Sequence, residues 1–360
     1  MQKEKKWGRG VLILELAALV ALGAFTALID PAFHYHKPLA GISYYIFDQR
    51  YQNTGIVRNF EYDAIVTGTS MTENFRPSEM VDLFGVNAVK VSYSGSSLRE
   101  IGDNLRRAFE ANDHIKMVVL GLDGTNLMDD KDLLRSDVPL PEYLYDKNPL
   151  NDVSYLLNKQ ILLKYTMRML QQTYYRVGTT SFDDYSYWDG VYAYGPEPVL
   201  EYYKGPERAA TEVAMDPETA RTVRQNIQQN VARLAQENPD TEFYLYFSPY
   251  SAVYWATHLR AGTLDKQIEA YRIAAEELVQ YENVHLYSFF TNYRWTEDLR
   301  LYRDYVHHNA DINSQILKQF RNETYRLTRD NYLQHWQQLR DHYAEFDFES
   351  FAGGYGWPFE

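Results

Sequence analysis

Cysteine is absent from all 360 residues. That excludes disulfides, thiol nucleophiles and cysteine-based zinc sites. An excess of basic charge is also missing: 36 Lys and Arg stand against 49 Asp and Glu, a net charge of −13. This balance argues against nucleic acid or acidic lipid as a ligand of the main domain. No internal repeat, low-complexity block or metal-ligand constellation is visible. Long apolar runs are scarce, with one exception near the N-terminus. Tyrosine is abundant instead, at 32 residues. That composition suits carbohydrate-facing or interface surfaces, and equally a purely structural use.

The exception is Val11 to Ile29, VLILELAALVALGAFTALI, 19 residues long. As a helix it spans about 28 Å, close to the thickness of a bilayer core. Lys3, Lys5, Lys6 and Arg9 precede it against a single acid, Glu4. The positive-inside rule then puts the N-terminus in the cytoplasm and everything after Asp30 outside, on a single-pass anchor in the cell membrane. The rival is a cleaved signal peptide, but the run is long for one and no small-x-small site precedes Asp30. Glu15 lies inside the run. It either snorkels to the cytoplasmic interface or contacts another membrane protein. Beyond the anchor, His34 and His36 read as part of a juxtamembrane aromatic segment, with a metal pair as the alternative.

From Tyr62 onward, apolar runs alternate with helical periodicity. Strands are expected at Asp63–Thr67, Val86–Tyr93, Ile115–Leu122, Glu242–Phe247 and Val284–Phe289. Helical spacing links Leu98, Ile101, Leu105 and Phe109. Asp216-Pro217 opens another helix as N-cap and N1. Further helices are expected over Leu264–Tyr281 and Ala310–Tyr332. Strands joined by helices imply a three-layer α/β fold, a flavodoxin-like parallel sheet with helices on both faces, preceded by one N-terminal transmembrane helix. The organisation read from the chain is 1–10 cytoplasmic, 11–30 anchor, 31–59 juxtamembrane, 60–330 α/β domain and 331–360 a C-terminal tail, expected to be irregular after Glu345. A tyrosine-rich insertion over about 130–215 is expected to cover the carboxyl edge of the sheet.

Ligands of such sheets collect at the carboxyl ends of the strands. Ser70 follows the first strand in Gly68-Thr-Ser70, and Gly95 follows the second. Asp123 and Asn126 follow the third. Asp304-x-x-His307 comes late in the chain. A serine hydroxyl becomes a nucleophile when a base takes its proton, and His307 is the base of choice near neutral pH. An Asp three residues earlier can fix its tautomer. Gly95 offers an unobstructed N–H for an oxyanion. His308 is a rival to His307, without the Asp-x-x-His spacing.

The order Gly-x-Ser, Gly, Gly-x-Asp and Asp-x-x-His over roughly residues 60–325 resembles the SGNH (GDSL-like) hydrolase superfamily. The resemblance implies Ser70 as nucleophile, His307 as base, Asp304 as its orienter and Gly95 as an oxyanion donor, with no cofactor and no metal. Where the family has an Asn as second donor, this chain has Asp123. Three readings are open: a protonated Asp123, another role for it, or Asn126 taking the place. The anchored plan also resembles extracytoplasmic SGNH-like proteins that partner a membrane-bound O-acyltransferase. That resemblance implies a serine acyl-transfer enzyme that O-acetylates or deacetylates a cell-surface polysaccharide. The alternative is a catalytically silent scaffold that recruits such an acyltransferase or binds glycan.

Overall fold

A computed structural model describes residues 2–357 apart from Ser136 and Pro206, and the side chains from Lys5 onward. Lys3 and Glu4, which enter the charge asymmetry, and residues 358–360 of the expected tail therefore lie outside the described side chains. The chain divides into two compact units. One holds the residues up to Glu61 together with Val138–Ser181, and the other holds Tyr62–Asp137 and Phe182 onward. The insertion expected over 130–215 is thus split between them.

The second unit is a six-stranded α/β sheet in the order β2-β1-β3-β4-β5-β6. Its strands are β1 Ala64–Thr67, β2 Ala88–Lys90, β3 Met117–Leu122, β4 Glu242–Phe247, β5 Val284–Ser288 and β6 Arg326–Leu327. β1 and β3 are buried at every residue, the pattern of central strands covered on both faces. The first five strands pair in parallel, with Val66 opposite both Lys90 and Val119. Helices Pro77–Phe84, Leu98–Ala111, Pro217–Ile227 and Leu264–Leu278 make the crossovers. The helix Leu98–Ala111 starts with a capping box in which Ser97 and Glu100 satisfy each other's backbone N–H.

The sheet is mixed rather than wholly parallel. The helix from Ala310 stops at Asn322, ten residues short of the expected end, where Glu323 turns left-handed at φ 53°. The chain then runs back as β6, antiparallel to β5, with Leu327 opposite Leu286. Beyond β6 the described residues form two helices, and the second lies in the stretch after Glu345 expected to be irregular. Tyr332–Glu345 and Phe348–Gly354 are helices, and Trp336, Leu339 and Tyr343 are buried. Those three residues recur at spacings of three and four, a periodicity masked by the Gly-rich end of the chain. Trp336 joins Tyr271, Phe290 and Phe247 in one aromatic cluster, with Trp336 and Tyr271 stacked at 5.8 Å. Much of the tyrosine is structural: Tyr246, Tyr250, Tyr271, Tyr287, Tyr302 and Tyr343 are fully buried.

In the first unit, the helix Gln2–Ile29 contains a stretch, Lys5–Ile29, long and apolar enough to cross a membrane. Asp30 ends it at φ 47°. Its carboxylate accepts the N–H groups of His34, Tyr35 and His36 and the hydroxyl of Tyr155 at 2.7 Å. Both ring nitrogens of His36 lie against backbone carbonyls, of Lys37 and Ala27. Those contacts hold His36 in the turn after the helix. Tyr155 and Tyr165 anchor a small core with Ala32, Leu144 and Ile161.

Candidate active site

The strand order reverses between β1 and β3, and at this switch point the loops after the two strands diverge to leave a crevice. β1 is followed by Gly68 at φ 144°, where a Cβ would strike the side chain of Thr72 at 2.6 Å. The tight approach aims the chain into a single 3-10 turn, Ser70–Thr72, and Ser70 is partly exposed at its start.

His307 Nε2 lies 2.8 Å from Ser70 Oγ, and His307 Nδ1 lies 2.7 Å from Asp304 Oδ2. A carboxylate only accepts, so Nδ1 carries the proton and Nε2 accepts from the serine hydroxyl. Asp304 Oδ1 accepts the N–H groups of Val306 and His307 at 2.9 and 2.7 Å, fixing the loop that holds the imidazole. Burial pushes the Asp304 carboxyl up, but the hydrogen bonds and charge of His307 and the two backbone donors outweigh it and hold the pKa below the usual carboxylate range. His308 points the other way. It is fully buried, bonded through Nδ1 to the Asn309 carbonyl, and burial lowers its pKa to about 4.

A cavity of about 360 Å³ opens on Ser70 and His307, lined also by Gly95, Asp123, Asn126 and Arg135. Gly95 adopts φ 63°, and its carbonyl accepts a bond from the Arg135 guanidinium. Among the described residues, no bond engages the N–H of Ser70 or of Gly95. Asn126 is tied to the same loop, its amide nitrogen donating to the Ser96 carbonyl at 3.1 Å.

Asp123, at the wall of this cavity, is engaged by three hydroxyls. Oδ1 accepts from Ser248 at 2.8 Å and Tyr250 at 3.0 Å, and Oδ2 accepts from Thr69. Through these bonds Asp123 ties the carboxyl ends of β3 and β4 to the residue preceding Ser70.

Other neighbours of the site include Trp188 and Tyr192 of the tyrosine-rich stretch. The Arg303 guanidinium lies over the rings of both Trp188 and Tyr192, 4.2 Å from each centroid, with its Nε 3.4 Å from Asp304. Trp188 meets the His307 ring edge-on at 5.7 Å. Asn74 Oδ1 accepts the N–H groups of Trp188 and Asp189 at 3.0 and 3.2 Å, and Asp183 accepts from Ser78 N and Oγ. Beneath them, Lys90 is fully buried at the end of β2 and donates to the carbonyls of Glu73, Phe75 and Asp183. Burial lowers its pKa to about 7. Residues 182–192 are therefore fastened along the segment just after Ser70.

No family model matches the chain, and no curated protein matches it. Among solved structures it aligns with a protein from Streptococcus pneumonia described, provisionally, as a platelet activating factor. The identity is 14%, over 77% of this chain and 90% of that one, with a TM-score of 0.37. At that distance the likeness bears on neither reaction nor substrate.

Proposed function

We propose that the chain is a serine-dependent acyl-transfer enzyme, its acyl group carried on Ser70. The observation that carries this reading is the continuous hydrogen-bonded chain from Ser70 through His307 to Asp304, at the sheet's switch point and open to a cavity. His307 Nε2 takes the hydroxyl proton as Ser70 Oγ attacks an ester carbonyl, and Asp304 holds the tautomer and steadies the imidazolium. The free N–H groups of Ser70 and Gly95 receive the oxyanion. Asn126, whose amide keeps a second proton, is a third donor. Collapse breaks the ester bond, with His307 returning the proton to the leaving alkoxide. A sugar hydroxyl or water then attacks the acyl-serine by the reverse sequence.

The proposed substrate is an acyl ester, acetyl first, on a cell-surface polysaccharide. Two features support it: an N-terminal helix suited to a membrane anchor, and Trp188 beside His307 with Tyr192 next to it, aromatic surfaces of the kind that cover sugar rings. A membrane-bound O-acyltransferase is the proposed donor partner, and Glu15, exposed on the helix, is a candidate contact for it.

A serine-reactive fluorophosphonate tests the nucleophile directly. Wild type is expected to label at Ser70, Ser70→Ala not at all, and His307→Ala at a rate lower by about 10²–10⁴-fold. Unlabelled wild type, or equal labelling of Ser70→Ala, would favour the silent scaffold and end the enzymatic reading.

A further inference from the structure

The apolar run of the first unit's long helix does not stand free over its whole length. Every described residue from Lys5 to Leu22 is exposed or half-exposed, but Gly23, Thr26 and Ile29 are buried. Their cover comes from two short helical segments, Val153–Leu156 and Ile161–Thr166; a Cβ on Gly23 would lie 3.6 Å from Leu156 and 3.7 Å from Leu157.

The cover limits how the helix can sit in a bilayer. The part of the apolar run free on every face, Val11 to Leu22, is 12 residues, about 18 Å as a helix, against a hydrocarbon core of about 30 Å; beyond it one face is covered while Ala24, Phe25 and Leu28 stay exposed on the other. Making up the difference at the N-terminal side would bury Arg9, Lys6 and Lys5, at roughly 2.5–3.5 kcal/mol for each charge that reaches mid-bilayer. Making it up at the other side requires Gly23–Ile29, and these residues bring their cover with them.

That cover has the surface of something meant for the same depth. Leu150 is 85% exposed and Leu163 59%. Val153 and Leu157 share one helical face, and Leu163 and Met167 are likewise four apart; all are exposed. Tyr174 and Tyr175, 80% and 72% exposed, follow as an aromatic pair of the kind that sits at headgroup level. From Val153 to Ser181 the sequence contains four basic residues, Lys159, Lys164, Arg168 and Arg176, and no acid, in a chain whose net charge is −13. A local reversal of sign beside exposed leucines is the pattern of a segment that lies on anionic lipid.

We infer that residues 150–177 form an interfacial collar along one side of the outer end of the membrane helix, with Leu150, Leu163 and Met167 inserted among the acyl chains of an anionic leaflet. This rests on the long helix spanning a bilayer. The chain has no cysteine, so single-cysteine variants of the full-length protein report without background. Leu16→Cys, Leu150→Cys, Leu163→Cys and Met167→Cys, each carrying a bimane probe, are placed in phosphatidylglycerol-containing nanodiscs with nitroxide lipids. Leu16 is expected to be quenched most by a label deep on the acyl chain, and the other three by a label near the headgroup. Quenching at Leu16 with none at the other three overturns the collar and leaves the anchor standing. No quenching at any of the four removes the anchor and the collar together.

Discussion

At the residue scale, Asp123 is the informative position. A carboxylate that accepts three hydroxyls is difficult to replace by its amide. In Asp123→Asn, one carboxylate oxygen gives way to an N–H₂ group, so either Thr69 or the Ser248–Tyr250 pair would face a donor. Leaving a buried polar pair unmatched costs about 1–3 kcal/mol. Because Thr69 directly precedes Ser70, part of that cost falls on the aim of the nucleophile. Asp123→Asn is therefore expected to lower the fluorophosphonate labelling rate by about tenfold or more, since 1.36 kcal/mol corresponds to a factor of ten. If Asp123 instead occupied an oxyanion position, the same substitution would add a donor, and the rate would hold or rise. Asp304 is the second position of this kind, with the opposite electrostatics. Asp304→Asn keeps the shape but removes the acceptor that holds the proton on Nδ1. Labelling should fall by orders of magnitude while the melting temperature changes little, measured on the same preparation.

At the element scale, the stretch Asp183–Tyr192 is the piece that couples the nucleophile's loop to the histidine's loop. It bonds Asn74 and Ser78 on one side and stacks Trp188 and Tyr192 on Arg303 on the other. Asn74→Ala withdraws the acceptor from two N–H groups at once. The amides of Trp188 and Asp189 are expected to exchange with deuterium much faster in this variant, while those of Val118 and Leu120 in β3 keep their protection. Unchanged exchange at Trp188 would show that Asn74 is not what holds the stretch. None of this coupling was legible in the sequence, because no periodicity relates residue 74 to residue 188. The convergence of Ser70, Gly95, Asp123 and His307 on one edge was legible. Buried β-branched runs announce parallel strands, and parallel strands deliver their connecting loops to one side. The C-terminal helices were obscured for a different reason. Trp336, Leu339 and Tyr343 carry the helical period, but β6 is only two residues long and gives no pattern by which to end the preceding helix at Asn322.

At the scale of the whole molecule, charge and burial pull in opposite directions when the pH falls. Acidification relieves the repulsion of a chain at −13, but charges farther apart than about 10 Å are screened at ordinary salt. Local burial is not screened. His258, His308 and His335 all lie in the α/β unit, and burial lowers the pKa of each to about 4 from 6.5. A group whose folded pKa is depressed stabilises fully above its unfolded value, and that stability drains away as the pH falls from 6.5 toward 4. By pH 5 the loss is of the order of 1–2 kcal/mol for each histidine. His36, whose pKa the carbonyls of Lys37 and Ala27 and the charge of Asp30 raise against its burial, works in the opposite sense, but it is one half-exposed group against three and belongs to the other unit. Five of the six tryptophans (188, 255, 295, 336 and 357) also lie in the α/β unit. Their fluorescence therefore reports the melting of that unit. Between pH 7.5 and 5 its transition is expected to drop by roughly 10 °C, at about 2–4 °C for each kcal/mol. His335→Gln, which keeps a polar partner for Ser288 Oγ, should remove about a third of that drop. A transition that stayed level over this range would mean that the three imidazoles admit protons without disturbing the core.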